Sequence, residues 1–196
     1  MLTTLLLPYF LLFFAAAFVL PTWRVWQSNG TNALVLPRDD SAFGVIGVWF
    51  KILIGSILVL CASSAFGVGL NAMGPLDWAN HPWLNRLGAI LLVVTLIWVV
   101  IAQANMGQSW RIGIDQKVAS KLVTSGLFAR SRNPIFLGMR INMLGLLFIL
   151  PNAATLSLFV ASEILIGVQV RLEEAHLRET MGQPYLDYCA RVGRWL

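Results

Sequence analysis

Charge is what this chain has least of. Lys and Arg number 14 and Asp and Glu 9 among 196 residues, 12% in all. Soluble domains carry about a quarter charged residues, so a water-facing globular surface is excluded. Cysteine is scarce too. Cys61 and Cys189 lie far apart and form no CxxC pair, which leaves no disulfide framework and no thiolate metal site. Two histidines, His81 and His176, are too few for a histidine-rich iron centre. Glu173-x-x-His176 has the spacing of half a di-iron site, but such a site needs two of these motifs and further glutamates, so no metal is expected. Internal repeats and low-complexity tracts are absent. Basic residues before the first apolar run are also lacking. Ala15-Ala16-Ala17 looks like a cleavage site, yet without that basic flank a retained helix is expected rather than a signal peptide.

Apolar residues take the place of charge. They make up 58% of the chain, and mean hydropathy is +0.74. Five apolar stretches stand out, at about 5–23, 48–70, 84–104, 135–150 and 153–170. A spanning helix needs roughly 17–25 residues, so the fourth is short and must sit among neighbours or thin the bilayer. The pattern predicts an all-α fold: one integral membrane helical bundle over 1–196, with about five transmembrane helices and a cytoplasmic C-terminal helical tail. Residues 1–105 hold three spans. Residues 106–196 hold a helical hairpin, 134–171, and the tail. Gly55, Ser56, Ser63, Ser64 and Gly67 are small enough to predict close packing of the second span. Trp23, Trp26, Trp78, Trp83 and Trp110 fall near span ends, as interfacial anchors do.

The basic residues set the orientation. Arg111, Lys117, Lys121, Arg130 and Arg132 crowd the segment after the third span, and Arg171, Arg178, Arg191 and Arg194 crowd the tail. Arg24 and Arg38 follow the first span. Five spans place all three segments on one side, which the positive-inside rule makes cytoplasmic, leaving the N-terminus outside. The net charge of +5 is therefore topogenic, with attraction to membrane lipids as a secondary effect and no nucleic-acid partner.

Polar chemistry is confined to 103–133 and 171–196. In the tail, Gly182 and Pro184 end one helix, and Tyr185, Tyr188 and Val192 mark an aromatic face on a second. The turn at Pro151-Asn152 makes a further expectation geometric. Arg140 stands eleven residues before Pro151 and Glu163 eleven after Asn152. Both therefore lie about 16 Å from the turn, and ionisable residues inside a span pair, so Arg140 and Glu163 should meet. The same count puts Arg130 and Arg132 level with Glu173 and Arg171, so the Glu173-Glu174 pair should stand beside those arginines.

"KLVTSGLFARSRNPIFLG", then a hairpin, then "RLEEAHLRETMGQPYLDY" resembles the isoprenylcysteine carboxyl methyltransferase and phospholipid methyltransferase-like family, in its prokaryotic form. The family pattern reads Leu-Val, Gly, Arg-His-Pro-x-Tyr-x-Gly, Glu-Glu and Phe-Gly-x-x-Tyr-x-x-Tyr. Here the histidine is Asn133, the tyrosine Phe136 and the phenylalanine Met181. Asn133 still donates or accepts a hydrogen bond but carries no proton. The resemblance implies an integral membrane enzyme using S-adenosylmethionine, with S-adenosylhomocysteine as product. The cofactor would lie among Leu122, Val123, Gly126, Phe128, Asn133, Pro134, Phe136, Gly138, Glu173, Glu174 and Tyr185.

The residue types suit that ligand. Carboxylates match its ribose hydroxyls and ammonium group. Arginine or backbone N–H matches its carboxylate, and apolar backbone and rings match adenine. Pro134 in a first helical turn leaves the next N–H groups facing an anion. The expected reaction is in-line methyl transfer to a lipophilic or small carboxylate, thiol or amine acceptor reached from the membrane, with Arg111, Arg191 or Arg194 orienting it. A sterol-reductase-type enzyme using NADPH and a non-catalytic membrane scaffold are the alternative readings.

Overall fold

The computed structural model describes residues 2–29, 39–107 and 122–196. Arg38, Trp110, Arg111, Lys117 and Lys121 lie outside the described residues. Among the described residues the architecture is helical, with a single isolated β-bridge between Pro75 and Asn152. A short turn leads into α1 (Leu6–Phe14), a π-helical turn (Ala15–Val19) and α2 (Leu20–Asn29). Then come α3 (Ala42–Phe66), α4 (Pro82–Met106), α5 (Pro134–Ile149), α6 (Ala153–Met181) and α7 (Gln183–Arg191).

Among the described residues, four segments are long and apolar enough to cross a membrane: Thr3–Gln27, Ala42–Phe66, Pro82–Met106 and Ala153–Met181. The fifth apolar helix, Pro134–Ile149, has 16 residues and is the short fourth stretch of the sequence. The protein is a multi-pass membrane protein in which this short helix sits among longer ones.

Local chemistry explains the boundaries. Ser41 caps α3 by accepting from Gly44 N at 3.2 Å, and Gly67 ends it at φ +67°. His81-Pro82 starts α4 with proline in its first turn, where no N–H is needed. Asn152 caps α6 by accepting from Thr155 N at 2.8 Å. Within the first span, Pro21 lacks the N–H that would return to Ala17 O. The buried Gln103 of α4 donates its Nε2 to that oxygen instead.

The core joins α1, α3, α4 and α5 through Phe10, Ile57, Leu60, Leu92, Met143 and Leu146, with α6 packed alongside. Inside it, Asn142 Nδ2 donates to Tyr9 Oη and to Thr95 Oγ1, and Tyr9 Oη donates to Leu92 O at 2.7 Å. Such bonds fix helix register where water is absent.

Of the small residues expected to pack closely in the second span, Ser64 is buried while Gly55 and Gly67 are exposed. An added Cβ at Gly55 would meet nothing within 4 Å, Gly55 and Ser56 line an open groove toward α6, and Gly67 is a helix terminus. The tight crossing is between α4 and α5: a Cβ at Gly88 would lie 2.7 Å from Gly145 O, and one at Gly145 would lie 2.9 Å from Leu92 Cδ2. Small residues permit close packing, but helix rotation decides which of them use it.

The hairpin register is as counted. Arg140 Nε donates to Glu163 Oε1 at 2.9 Å and Oε2 at 2.8 Å, and Arg140 Nη2 donates to Oε2 as well. At the turn end, Leu76 N donates to Pro151 O at 3.0 Å and Ala153 N to Gly74 O at 2.8 Å. The α3–α4 connection and the hairpin turn thus share one end of the bundle. The C-terminal end of α4, the start of α5 and the tail after α6 gather at the other.

Candidate functional site

α4 positions that polar end. Gly126 opens a 3-10 turn (Gly126–Ala129) at φ +63°, and Asn105 Oδ1 accepts from Leu127 N at 2.9 Å. A Cβ on residue 126 would overlap the Asn105 amide, so glycine is required both for space and for conformation. Eight residues on, Trp98 Nε1 donates to Pro134 O at 2.8 Å. Gly138 lies one turn further along, where a Cβ would come 2.6 Å from Val99 Cγ2. The loop and the first turn of α5 are therefore docked on α4.

Glu174, with 2% exposure, is the centre of the site. Arg132 donates to its Oε1 from Nε at 3.3 Å and Nη2 at 3.0 Å. Arg194 donates to both oxygens at 2.8 to 3.2 Å. Asn133 Nδ2 donates at 3.3 Å, and Arg178 Nη2 stands 3.9 Å away. A buried carboxylate persists only with such partners. Glu174 in turn raises the Arg194 guanidinium above the ordinary arginine range, chiefly through their hydrogen bonds.

The chain after α7 forms a strap across the start of α5. Arg132 N donates to Gly193 O at 3.0 Å, and Arg132 Nη1 donates to Val192 O at 2.7 Å. Asn133 Nδ2 and Ser131 Oγ both donate to Arg194 O, at 3.3 and 3.5 Å. Beneath the strap, Tyr188 Oη donates to Phe128 O at 2.6 Å. Burial pushes the Tyr188 phenol up to about 12 and raises Tyr185 as well.

The predicted site residues differ in burial, and Gly126, on the docked loop, is exposed. Phe128, Asn133, Pro134, Gly138, Glu174 and Tyr185 are buried, and Arg194 joins them through Glu174. Leu122, Val123, Phe136 and Glu173 are half-buried. Glu173 accepts from Gln169 Nε2 at 2.7 Å and has no other partner among the described residues, so one of its oxygens is left unpaired by the protein. Arg191 stands apart, exposed and donating to Asp187 O of its own helix at 3.3 Å. Arg111 lies outside the described residues.

The start of α5 leaves donors open too. Its first bond of the i→i−4 kind is Leu137 N to Asn133 O, and the Asn133 side chain makes no cap. Among the described residues the N–H groups of Ile135 and Phe136 thus have no acceptor, as is typical of a helix start.

Sequence reasoning missed three positioning residues. Trp98 falls within the apolar stretch 84–104, and Asn105 and Ser131 within the polar segment 103–133, with no role assigned to any of them. Ser131 is 0% exposed and ties Asn133 N to the strap. The signal available was that Trp98 and Asn105 carry donors or acceptors on an otherwise apolar helix.

A family model for phospholipid methyltransferases matches residues 83–184, more than half of the chain. Protein-S-isoprenylcysteine O-methyltransferase B of Arabidopsis thaliana is 26% identical over 140 residues, 70% of this chain and 67% of that one. The fold is similar to the solved structure of a eukaryotic intramembrane Ras methyltransferase, isoprenylcysteine carboxyl methyltransferase, with a TM-score of 0.62 and 18% identity. That likeness covers 95% of this chain, which spans 62% of the solved chain's length. Matched from α4 through the docked loop and the hairpin to the start of α7, this chain belongs to the phospholipid methyltransferase family.

Proposed function

We propose that this protein transfers a methyl group from S-adenosylmethionine to a lipophilic acceptor reached from the membrane. The observation that carries the reading is the family match across residues 83–184, which includes the docked loop, the start of α5 and both glutamates. When bound, S-adenosylmethionine supplies a methyl group already activated by its sulfonium.

The residues present fit such a molecule. The unpaired oxygen of Glu173 is an acceptor for a hydroxyl or ammonium group. The uncapped N–H groups of Ile135 and Phe136 suit a carboxylate at a helix start. Leu122, Val123 and Phe136 offer half-buried apolar surface. Gly126 and Gly138 hold the loop and α5 against α4, while Glu174 and Asn133 hold the strap. Phe128, Pro134 and Tyr185 form the packed floor. Arg194 serves the strap rather than the acceptor, and Arg111 and Arg191 are the remaining cations proposed to orient an acceptor.

Asn133 moves no proton, so the chemistry asks for an acceptor that is already nucleophilic or that loses its proton to water. Alignment and exclusion of water then supply the rate. The relatives' names point to a phospholipid head or an isoprenylcysteine carboxylate. On this reading the whole chain works as one membrane unit. The basic strap end faces the cytoplasm and the N-terminus the opposite side.

The test is equilibrium binding of tritiated S-adenosylhomocysteine to the purified protein in detergent. Binding is expected, and Glu173→Gln is expected to weaken it roughly tenfold, as loss of one charge-assisted hydrogen bond would. NADPH binding without adenosyl-ligand binding would favour a reductase. Binding of neither would leave a scaffold.

A further inference from the structure

Arg140 lies inside the hairpin, six residues past Pro134 and so roughly 9 Å beyond the start of α5. A guanidinium has two edges that can grip an anion, Nε–Nη and Nη–Nη. Glu163 occupies the first, through Nε and Nη2. Nη1 has no acceptor among the described residues. A merely structural pair would be packed over, because charge in an apolar setting is costly. Here Arg140 and Glu163 are 31% and 26% exposed, so the second edge is reachable.

The edge is also held in orientation. Arg140 Cζ sits over the ring of Trp195, carried by the strap, 4.4 Å from the ring centroid. Its neighbour Arg194 is tied to Glu174, so the ring is anchored from the polar end. A guanidinium seated on an aromatic ring, with one edge paired and the other without a protein acceptor among the described residues, suits a planar or tetrahedral oxyanion.

We infer that the open Nη1–Nη2 edge of Arg140 binds the anionic head of a membrane-borne amphiphile, a carboxylate or a phosphate, with Glu163 and Trp195 holding that edge in place. The amphiphile's chain lies along the apolar bundle while its head sits on the seam between α5 and α6. That this amphiphile is also the methyl acceptor rests on the proposed function. The binding itself does not.

The test uses the full chain in phosphatidylcholine nanodiscs and electron paramagnetic resonance. The probes are spin-labelled stearate (in its ionised form), spin-labelled phosphatidylglycerol and spin-labelled phosphatidylcholine. One of the two anionic probes is expected to be motionally restricted in excess of the phosphatidylcholine probe. Stearate alone would assign the edge to a carboxylate, phosphatidylglycerol alone to a phosphate. In Arg140→Gln/Glu163→Gln, which leaves no lone charge, association of the favoured probe should weaken roughly tenfold. Trp195→Ala keeps the ion pair and should weaken it about threefold. Lys51→Gln, removing a cation elsewhere on the bundle, should change nothing. Absence of any excess, or an excess unaltered in both Arg140 and Trp195 variants, would overturn the site. Tritiated S-adenosylhomocysteine binding on the same samples reads the methyl-transfer proposal separately.

Discussion

Arg194 and Glu174 meet through three hydrogen bonds of 2.8 to 3.2 Å, although twenty residues and the whole of α7 separate them. Glu174 is buried and Arg194 is 34% exposed. The pair pins the strap to α6, and Arg132 and Asn133 pin the same strap to α5.

Removing the buried partner should therefore cost more than removing the exposed one. Glu174→Ala leaves Arg132 facing an empty, water-poor site and should lower stability by about 3–5 kcal/mol. Arg194→Ala should cost about 1 kcal/mol, because solvent already screens that guanidinium. Thermal unfolding in detergent, followed by circular dichroism, compares them. Equal effects would contradict the central place of Glu174.

The two glutamates should separate by readout. Glu173→Gln leaves the strap untouched, and its amide oxygen can still accept from Gln169 Nε2, so it should lower the melting temperature less than Glu174→Gln does. Its effect should appear in adenosyl-ligand binding. Glu174→Gln should lower the melting temperature. A melting loss for Glu173→Gln equal to that of Glu174→Gln would place both in the same structural knot.

Glycine substitutions test the helix crossing. Gly88→Ala drives a methyl group into Gly145 O of α5 and should destabilise by about 1–3 kcal/mol. Gly55→Ala meets open space and should be tolerated. The comparison is made by thermal unfolding in one detergent, and a destabilised Gly55→Ala beside an unchanged Gly88→Ala would reverse the assignment of the tight interface.

Tyr188 gives the strap end an alkaline limit. Its phenol is held up to about 12 by burial, against an ordinary value near 10. Between those values the unfolded chain loses the proton while the folded chain keeps it. The stability contributed by Tyr188 is therefore complete below about pH 10 and lost as pH rises toward about 12. Tyr188→Phe removes the bond to Phe128 O, should cost about 1 kcal/mol at neutral pH, and should flatten the fall in stability over that alkaline range. Denaturant midpoints measured at pH 8 and pH 11 check both parts.

Much of this arrangement is legible from composition and counting. The apolar lengths foresee the four long helices and the short α5, and the paired counts from the turn foresee Arg140 beside Glu163. Gly182 and Pro184 foresee the break between α6 and α7. These features depend on distance along the chain, which a helix converts into depth at a fixed rise per residue.

Other features depend on rotation about a helix axis, for which an apolar sequence carries little periodicity. The expectation of close packing at Gly55 failed for that reason, while Gly88 and Gly145 carried the crossing. The adjacent Glu173 and Glu174 look alike in sequence, yet about 100° of helical turn buries one among arginines and leaves the other half-open.

By itself, then, the sequence determined a membrane bundle with its polar groups at one end and a counted ion pair in the hairpin. Only the tertiary structure decided that α4 would hold the start of α5 through Trp98 and Asn105, and that the strap would bring Arg194 to Glu174 and Trp195 to Arg140. Those contacts join segments remote along the chain. They come from the packing of apolar faces against one another, which no local pattern encodes.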